Sequence, residues 1–395
     1  MAEMLNYEFS RPAPRGELWP LEASAGTGKT WTIENFVADY LADGAISPDE
    51  VVIVTFTKAA AAELRSRIRE NISSIVKGED TESPHRRYSD EERRVLRRVL
   101  GNFGHIRIST IHGFAQRSLS ILGEPLGELT TDVDTDEFRK SVLADVIRSL
   151  EIDELTELVA VSGHFNKLVS ILKIAAANPG GSLIASAPND ASEVLLSVAQ
   201  KALEAIRVRK SQLGLLGYDD LLTKLSQRLE SPGAVETLAS SIKVLLIDEF
   251  QDTDSLQWKI FRKIEEQEQL KAFVVVGDPK QAIYGFRGGD VQVYREAVPA
   301  ESANFLLGNR RSSHSFLEAA NDFFEDENFG FVTGSKDGPL PITDELVAKS
   351  VEISYQPMIA AGTLKDVDDG PSWLFRSVTG DSADDVKRTI LAELP

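Results

Sequence analysis

Leu21-Glu22-Ala23-Ser24-Ala25-Gly26-Thr27-Gly28-Lys29-Thr30 joins a short apolar segment to an amphipathic one, and its reading decides the fold. Residues 18–22 predict a strand, weakened by Pro20, which has no amide proton to give to a sheet. Downstream, Ile33, Phe36, Val37, Tyr40 and Leu41 share one helical face, Gly44 suits the C-terminal cap and Pro48 lies beyond it. A glycine-bearing turn between strand and helix aims backbone amides and a helix N-terminus at an anion. Ala23, Ser24, Ala25, Gly26, Thr27, Gly28, Lys29 and Thr30 are therefore read as a phosphate cradle. Gly26 and Gly28 permit close approach of the backbone, Lys29 reaches the β- and γ-phosphates of ATP, and the Thr30 hydroxyl holds Mg²⁺. Ala23 stands where the usual pattern has glycine, so the strict motif is not met.

Outward from this turn, buried-type strands are predicted at 51–56, 106–109, 244–247 and 273–276, with a strong alanine-rich helix over 58–76. The alternation of strand and helix predicts an α/β parallel sheet covered by helices. Between about 117 and 233 the pattern is helix after helix, as in an insertion. From 304 a new segment begins, with a strand at 305–307, a helix over 313–324 and a Gly/Pro-rich loop at 326–341.

A second motif comes after one of these strands. Val244-Leu-Leu-Ile-Asp-Glu-Phe-Gln-Asp-Thr253 is an apolar run ending in adjacent carboxylates. Asp248 at the strand tip suits the Mg²⁺ shell, and Glu249 suits orientation and deprotonation of an attacking water. Acids also cap helix N-termini, but the pairing with Lys29 and Thr30 favours the chemical reading. Asp219, in Gly217-Tyr-Asp-Asp-Leu-Leu222, reads as a helix cap.

Composition sets the outer bounds. The chain has 395 residues, enough for more than one domain, and no cysteine, which excludes disulfides and thiolate metal sites within it. Lys plus Arg number 43 against 62 Asp plus Glu, a formal charge of −19, which argues against a surface coated in nucleic acid. A locally basic groove is still compatible with it, because phosphate contacts depend on where the cations sit. Arg93, Arg94, Arg97 and Arg98 lie beside Asp90, Glu91 and Glu92 and read as an exposed, salt-bridged helix. No apolar run reaches 18 residues and no basic, apolar leader opens the chain, so a cytoplasmic protein with no membrane anchor is expected.

The motifs together resemble the UvrD-type superfamily 1 DNA helicases. They comprise ASAGTGKT at 23–30, VTFTKAA at 54–60, STIHGF at 109–114, DEFQDT at 248–253, GDPKQAIYGFRGGD at 277–290 and NRRS at 309–312, in the family's order. The resemblance implies a P-loop NTPase of RecA-like fold in two parts, 1–116 and 234–303, interrupted by the 117–233 insertion. It also implies an incomplete start of a second RecA-like domain at 304–395. By the same resemblance Lys29, Thr30, Asp248 and Glu249 act on ATP and Mg²⁺, Gln281 reports the γ-phosphate and Arg311 is an arginine finger. Trp31 and Arg310 occupy the places where relatives sandwich adenine. Phe56, Thr57, Thr110, His112, Phe114, Tyr284, Phe286 and Arg287 fall in loops that lie along single-stranded DNA in the family. Exposed rings there gain by stacking on bases, whereas each aromatic taken singly also suits a core, and His112 also suits a structural role.

The activity so implied is ATP-driven 3′→5′ translocation on single-stranded or tailed duplex DNA, within a resection complex with partner subunits. Two other classes stay open: a different P-loop enzyme such as a small-molecule kinase, and a non-motor remnant that binds ATP or DNA. Later helicase motifs and a nuclease arrangement of acids have no counterpart here, so the chain alone is expected not to unwind duplex.

Overall fold

The computed structural model describes residues 5–6, 13–16, 18–79, 86–177, 183, 190–282, 291–298, 303–325 and 358–360. The strands are β1 (Leu5–Asn6), β2 (Leu18–Ala23), β3 (Val51–Thr55), β4 (Arg107–Thr110), β5 (Glu128–Leu129), β6 (Leu215–Leu216), β7 (Val244–Ile247), β8 (Ala272–Gly277), β9 (Asn304–Leu306), β10 (Gly308–Asn309) and β11 (Ile359–Ala360). The first helices are α1 (Lys29–Ala42), α2 (Lys58–Lys77), α3 (Asp90–Gly101), α4 (Ile111–Ile121), α5 (Asp136–Arg148), α6 (Ile152–Ala160) and α7 (His164–Ala177). They are succeeded by α8 (Asp190–Leu213), α9 (Tyr218–Arg228), α10 (Ala234–Ser240), α11 (Ser255–Glu265), α12 (Val291–Ala297) and α13 (His314–Glu325). The chain divides into two units, Met1–Ser24 with Lys29–Leu306, and Ala25–Gly28 with Leu307–Pro395.

In the first unit seven strands form one sheet in the order β1-β9-β2-β8-β7-β3-β4, every pairing parallel. Strands covered on both faces need apolar residues at every position. VVIVT, VLLI and AFVVVG accordingly show no alternation, and every residue of β3, β7 and β8 is buried. Phe36 and Tyr40 of α1, Ile68 and Ile72 of α2 and Leu96 of α3 share one core with Ile53, Leu246 and Val274 of the sheet. The α/β parallel architecture expected from the sequence is thus present.

Pro20 lies inside the sheet, opposite Val275 of β8. A strand residue points its nitrogen and its carbonyl to the same side, and the Pro20 carbonyl accepts from Asn304 Nδ2 at 3.2 Å, so its nitrogen also faces β9. Ladder pairing of β9 with β2 begins only at Leu21. The missing donor therefore falls where the neighbouring strand has not yet started, and the proline removes no ladder bond.

The segment read as opening a second domain at 304 needs correction. Its strand is β9, which lies between β1 and β2 in the first sheet, with all three residues buried. The second unit takes up the chain only from Leu307, and in it β10 pairs parallel with β11 and Asn321 of α13 exchanges hydrogen bonds with Met358.

The helices between α4 and β7 divide by packing. Leu143, Leu158, Leu168, Leu172, Val198 and Ala202 give α5 to α8 a core of their own, whereas α9 returns to α4 and α11, and α10 to α11. The helices that pack independently thus run over 136–213, less than the 117–233 read from the pattern. They enter and leave through a neck where β5 and β6 pair and Glu128 N donates to Gly214 O at 2.9 Å. A Cβ on Gly127 would sit 2.4 Å from that same carbonyl oxygen, so the neck needs glycine there. Lys210 joins Asp134 (3.1 Å) and Asp220 (2.8 Å) just beyond it. The cap position of α9 is Gly217, whose N–H donates to Asp220, and Asp219 lies two residues further on, inside the helix.

The α3 helix is salt-bridged as read, with Arg94 on Glu91 at 2.6 Å and Arg86 on Glu92 at 2.9 Å. Among the described residues no single helix is long and apolar enough to cross a membrane.

One buried charge gives a testable stability effect. Glu34 of α1 is 7% exposed, its nearest cation is Arg67 at 3.7 Å, and burial pushes its carboxyl up to about 7. The folded state then binds a proton that the unfolded chain has already lost, so stability falls as pH rises from about 4.5 toward 7. Glu34→Gln is expected to stabilise the protein above pH 7 by roughly 2–3 kcal/mol, and not below about pH 4.5. Denaturant melts at several pH values read this directly; a pH-independent difference would refute it.

Candidate nucleotide site

In a parallel α/β sheet, ligands gather at the carboxyl ends of the strands. The first acid motif lies there because β7 runs out at Ile247. Asp248 N still donates to Val54 O at 2.8 Å, prolonging the ladder by one residue. Glu249 then turns the chain with φ 54° and ψ 44°, a left-handed conformation uncommon for a residue with a Cβ and typical of functional turns. Phe250, buried against Trp258 and Tyr294, anchors the turn.

This turn brings Glu249 Oε2 to 3.0 Å from Lys29 Nζ, the first residue of α1. Beside that ion pair, Asp248 Oδ1, Thr55 Oγ1 and Asp252 Oδ1 are shielded from solvent without a hydrogen-bond partner. All three residues line a small cavity at the ends of β3 and β7, with Phe56, Glu249 and Gln257. Burial, and next the Glu249 charge, push the Asp248 carboxyl up to about 7 and that of Asp252 up to about 6. Buried polar atoms are normally satisfied. A buried carboxylate oxygen without a partner, beside a second carboxylate, is the environment that a divalent cation would relieve.

The ion pair continues into a relay that sequence reading did not supply. Gln251 Nε2 donates to Glu249 Oε2 at 2.8 Å, and Gln251 Oε1 accepts from Asp278 N at 3.0 Å. Asp278 Oδ2 accepts from Gln281 Nε2 at 2.6 Å. A Cβ on Gly277 would lie 2.8 Å from Gln251 Oε1, so glycine keeps the relay's path open. Lys280, 8% exposed, holds Asp278 at 2.9 Å and Glu22 at 3.1 Å, tying the ends of β8 and β2 together. Burial works against the Lys280 ammonium, but Asp278 and Glu22 outweigh it and raise its pKa. Gln251, Asp278 and Lys280 all lie inside the quoted motifs. The signal for them was their position beside the named residues.

The second unit contains the glycine turn. Gly26, at φ +80°, gives its carbonyl to Arg310 N at 2.9 Å, and Ala25 O accepts from Asn309 Nδ2 at 2.9 Å. Asn309 Oδ1 also accepts from the amides of Arg311 and Ser312. A Cβ on Gly26 would stand 2.7 Å from Arg311 Cβ, so both its conformation and the space exclude a side chain. Thr27 is buried, Ser24, Gly28 and Thr30 are half-buried, and Arg310 and Arg311 are exposed. Ala23, at the end of β2, is fully buried, where an alanine methyl fits the core in place of the expected glycine. Trp31 in the first unit is half-buried.

Of the residues read as DNA-facing, Phe56 sits half-buried just past β3, and Thr57 caps α2 by accepting from Ala60 N at 3.0 Å. Thr110 caps α4 through Gly113 N at 3.3 Å. His112 is half-buried, edge-on to Tyr218 with ring centroids 5.8 Å apart. Phe114 is 5% exposed and packs on Phe261, so it supports the α4 helix from the core and presents no ring to a ligand. Tyr284, Phe286 and Arg287 lie outside the described residues.

A parallel sheet with a lysine-bearing helix start facing a strand-end Asp–Glu pair defines the P-loop class. The sequence profile of the UvrD/REP helicase N-terminal domain matches residues 12–300, and the chain belongs to that family. It is 34% identical over 353 residues to the RecBCD enzyme subunit RecB of Mycobacterium tuberculosis (strain CDC 1551 / Oshkosh), covering 83% of this chain and 31% of that protein. It is 28% identical over 450 residues to RecB of Escherichia coli (strain K12), covering 79% and 38%. It is 27% identical over 308 residues to the ATP-dependent DNA helicase PcrA of Staphylococcus epidermidis (strain ATCC 35984), covering 76% and 37%. The chain spans about a third of the length of these relatives.

Proposed function

We propose that this chain carries the ATP-binding part of a DNA-dependent ATPase that translocates along single-stranded DNA. The observation that carries the reading is the Lys29–Glu249 pair at 3.0 Å beside the unpaired Asp248 Oδ1. Residues Ala23 to Gly28 would cradle the phosphates, with Lys29 replacing its Glu249 contact by the β- and γ-phosphates. Thr30 and Asp248 would hold Mg²⁺, which when bound neutralises charge on the transferring phosphoryl group. Glu249, freed from Lys29 and still held by Gln251, is oriented to accept a proton from the attacking water. Gln281, at the far end of the relay from Glu249, reports the occupancy of the site, and Arg311 supplies transition-state charge. Trp31 and Arg310 take the two sides of adenine, and with no glutamine before residue 24 to read the base edge, nucleotide selectivity is loose.

Phe56, Thr57, Thr110 and His112 form the DNA-facing side at the ends of β3 and β4, and the family resemblance assigns Tyr284, Phe286 and Arg287 to DNA contact as well. The family resemblance implies 3′→5′ polarity and a place in double-strand-break repair, and likeness to a RecBCD subunit supports RecC- or RecD-like partner subunits. ATP turnover of the purified chain is expected to rise with oligo-dT, and any strand separation to prefer a 3′-tailed duplex over a 5′-tailed one. Turnover that ignores DNA while a small-molecule acceptor is phosphorylated would replace this reading with a kinase.

A further inference from the structure

The outer side of β4, the last strand of the sheet, borders a cleft of about 640 Å³ that the nucleotide site does not use. Its walls are β4, α4 and the start of the β5 neck. Among the described residues that line it are Arg65, Arg107 and Arg117 and no acid, in a chain whose formal charge is −19. Two of the three guanidinium groups are fixed. Arg65 Nη2 donates to Ile108 O at 2.7 Å, which caps the sheet edge and opposes addition of a further strand. Arg107 reaches the carbonyl of Ser241 with Nη2, while its Nε is buried without a partner. Arg117 is exposed and has neither an ion pair nor a hydrogen bond among the described residues. Burial, and next the Arg117 charge, push Arg107 down to about 10, and Asp49 and Glu50 act in the opposite sense without restoring it. Among the described residues lining the cleft, no acid pairs with these charges.

A cleft lined by one sign of charge with apolar walls focuses its field and attracts counter-ions. Weakly hydrated guanidinium groups match phosphate oxygens. The same cleft includes Ser109 and Gly113, which flank Thr110 at the DNA-facing end of β4, and it ends on the exposed Ile121 and on Leu126, apolar surface suited to sugar rings.

We propose that this cleft binds the phosphodiester backbone of a nucleic-acid strand, with Arg117 as its free phosphate contact and Arg65 and Arg107 as fixed positive charge beneath it. The inference rests on the functional reading above and adds to it a backbone contact separate from the stacking loops. It is tested by fluorescence anisotropy of labelled oligo-dT against salt concentration, using the whole chain. Arg117→Gln is expected to lower the slope of log K against log salt by about 0.7, one phosphate's worth for single strands, and Arg117→Lys to restore most of it. Arg148→Gln, which removes another exposed arginine, one on α5 that is paired with Asp145, controls for net charge and is expected to leave the slope unchanged. An unchanged slope in Arg117→Gln, or an equal fall in Arg148→Gln, overturns the proposal. So does an Arg117→Gln protein that binds DNA like the parent but no longer binds polyglutamate, since the cleft would then suit an acidic protein segment. A parent chain that fails to bind oligo-dT at all would remove the functional reading itself, and this inference with it. A thermal melt of Arg117→Gln matching the parent keeps a folding defect from imitating the expected result.

Discussion

Lys29→Ala is expected to weaken Mg-ATP binding by about 10- to 100-fold, the effect of losing one charge-assisted contact to phosphate, and to reduce turnover to background. The structure adds a companion with the opposite sign. Lys29 pairs with Glu249 at 3.0 Å, and on the proposed reading this contact competes with the phosphates for the Lys29 ammonium. Glu249→Gln weakens the competing contact and should tighten ATP binding while abolishing hydrolysis, because the proton acceptor is gone. Equilibrium binding of a fluorescent ATP analogue separates the two variants. Unchanged affinity in Lys29→Ala would remove the phosphate-loop assignment, and loss of affinity in both would show that the pair is structural.

The second large effect is on folding. Lys280→Met leaves Glu22 and Asp278, 12% and 2% exposed at their side chains, without their shared cation. Breaking a buried pair by removing one partner typically costs about 3–5 kcal/mol, because the remaining charge stays desolvated. Burial already raises the Glu22 carboxyl against the pull of Lys280, so the loss should shrink in acid, where Glu22 takes up a proton. Adding Glu22→Gln to Lys280→Met should recover part of the stability. Urea melts at pH 5 and pH 8 decide it: a loss below about 1 kcal/mol, or one independent of pH, would mean that the cluster is solvated and contributes little.

Much of the sheet was legible because a strand buried on both faces must be apolar throughout. VVIVT, VLLI and AFVVVG announce themselves in that way. β2 was harder to read, since Pro20 argues against a central strand and its tolerance depends on where β9 begins, a non-local fact. The placement of β9 was hidden for the same reason: three apolar-flanked residues do not say which of two sheets will pair them. At the site, the charged residues were legible from motif spacing, but the relay from Glu249 through Gln251 and Asp278 to Gln281 joins residues up to 27 apart in the chain. No pattern in the sequence states that a glutamine two positions past the acid turns back to it. Phe114 was misplaced by the same gap, because β4 passes directly into α4 and helical rotation turns the Phe114 ring onto Phe261.

The narrow neck at Glu128 and Gly214 bears on how this fold can diversify. Because the chain leaves and rejoins through adjacent backbone, the closure of everything between those points is set by the neck and not by the length of the segment it carries. For a flexible connection, doubling the length would add only about 0.6 kcal/mol of closure entropy. The α5 to α8 segment also has its own apolar centre, so a change there need not disturb the strands that position Lys29 and Glu249. Descendants of this chain can therefore gain, lose or reshape that appendage while leaving the strand ends at the candidate nucleotide site untouched. Sequence drift is expected to be fastest between residues 136 and 213 and slowest along the strand ends.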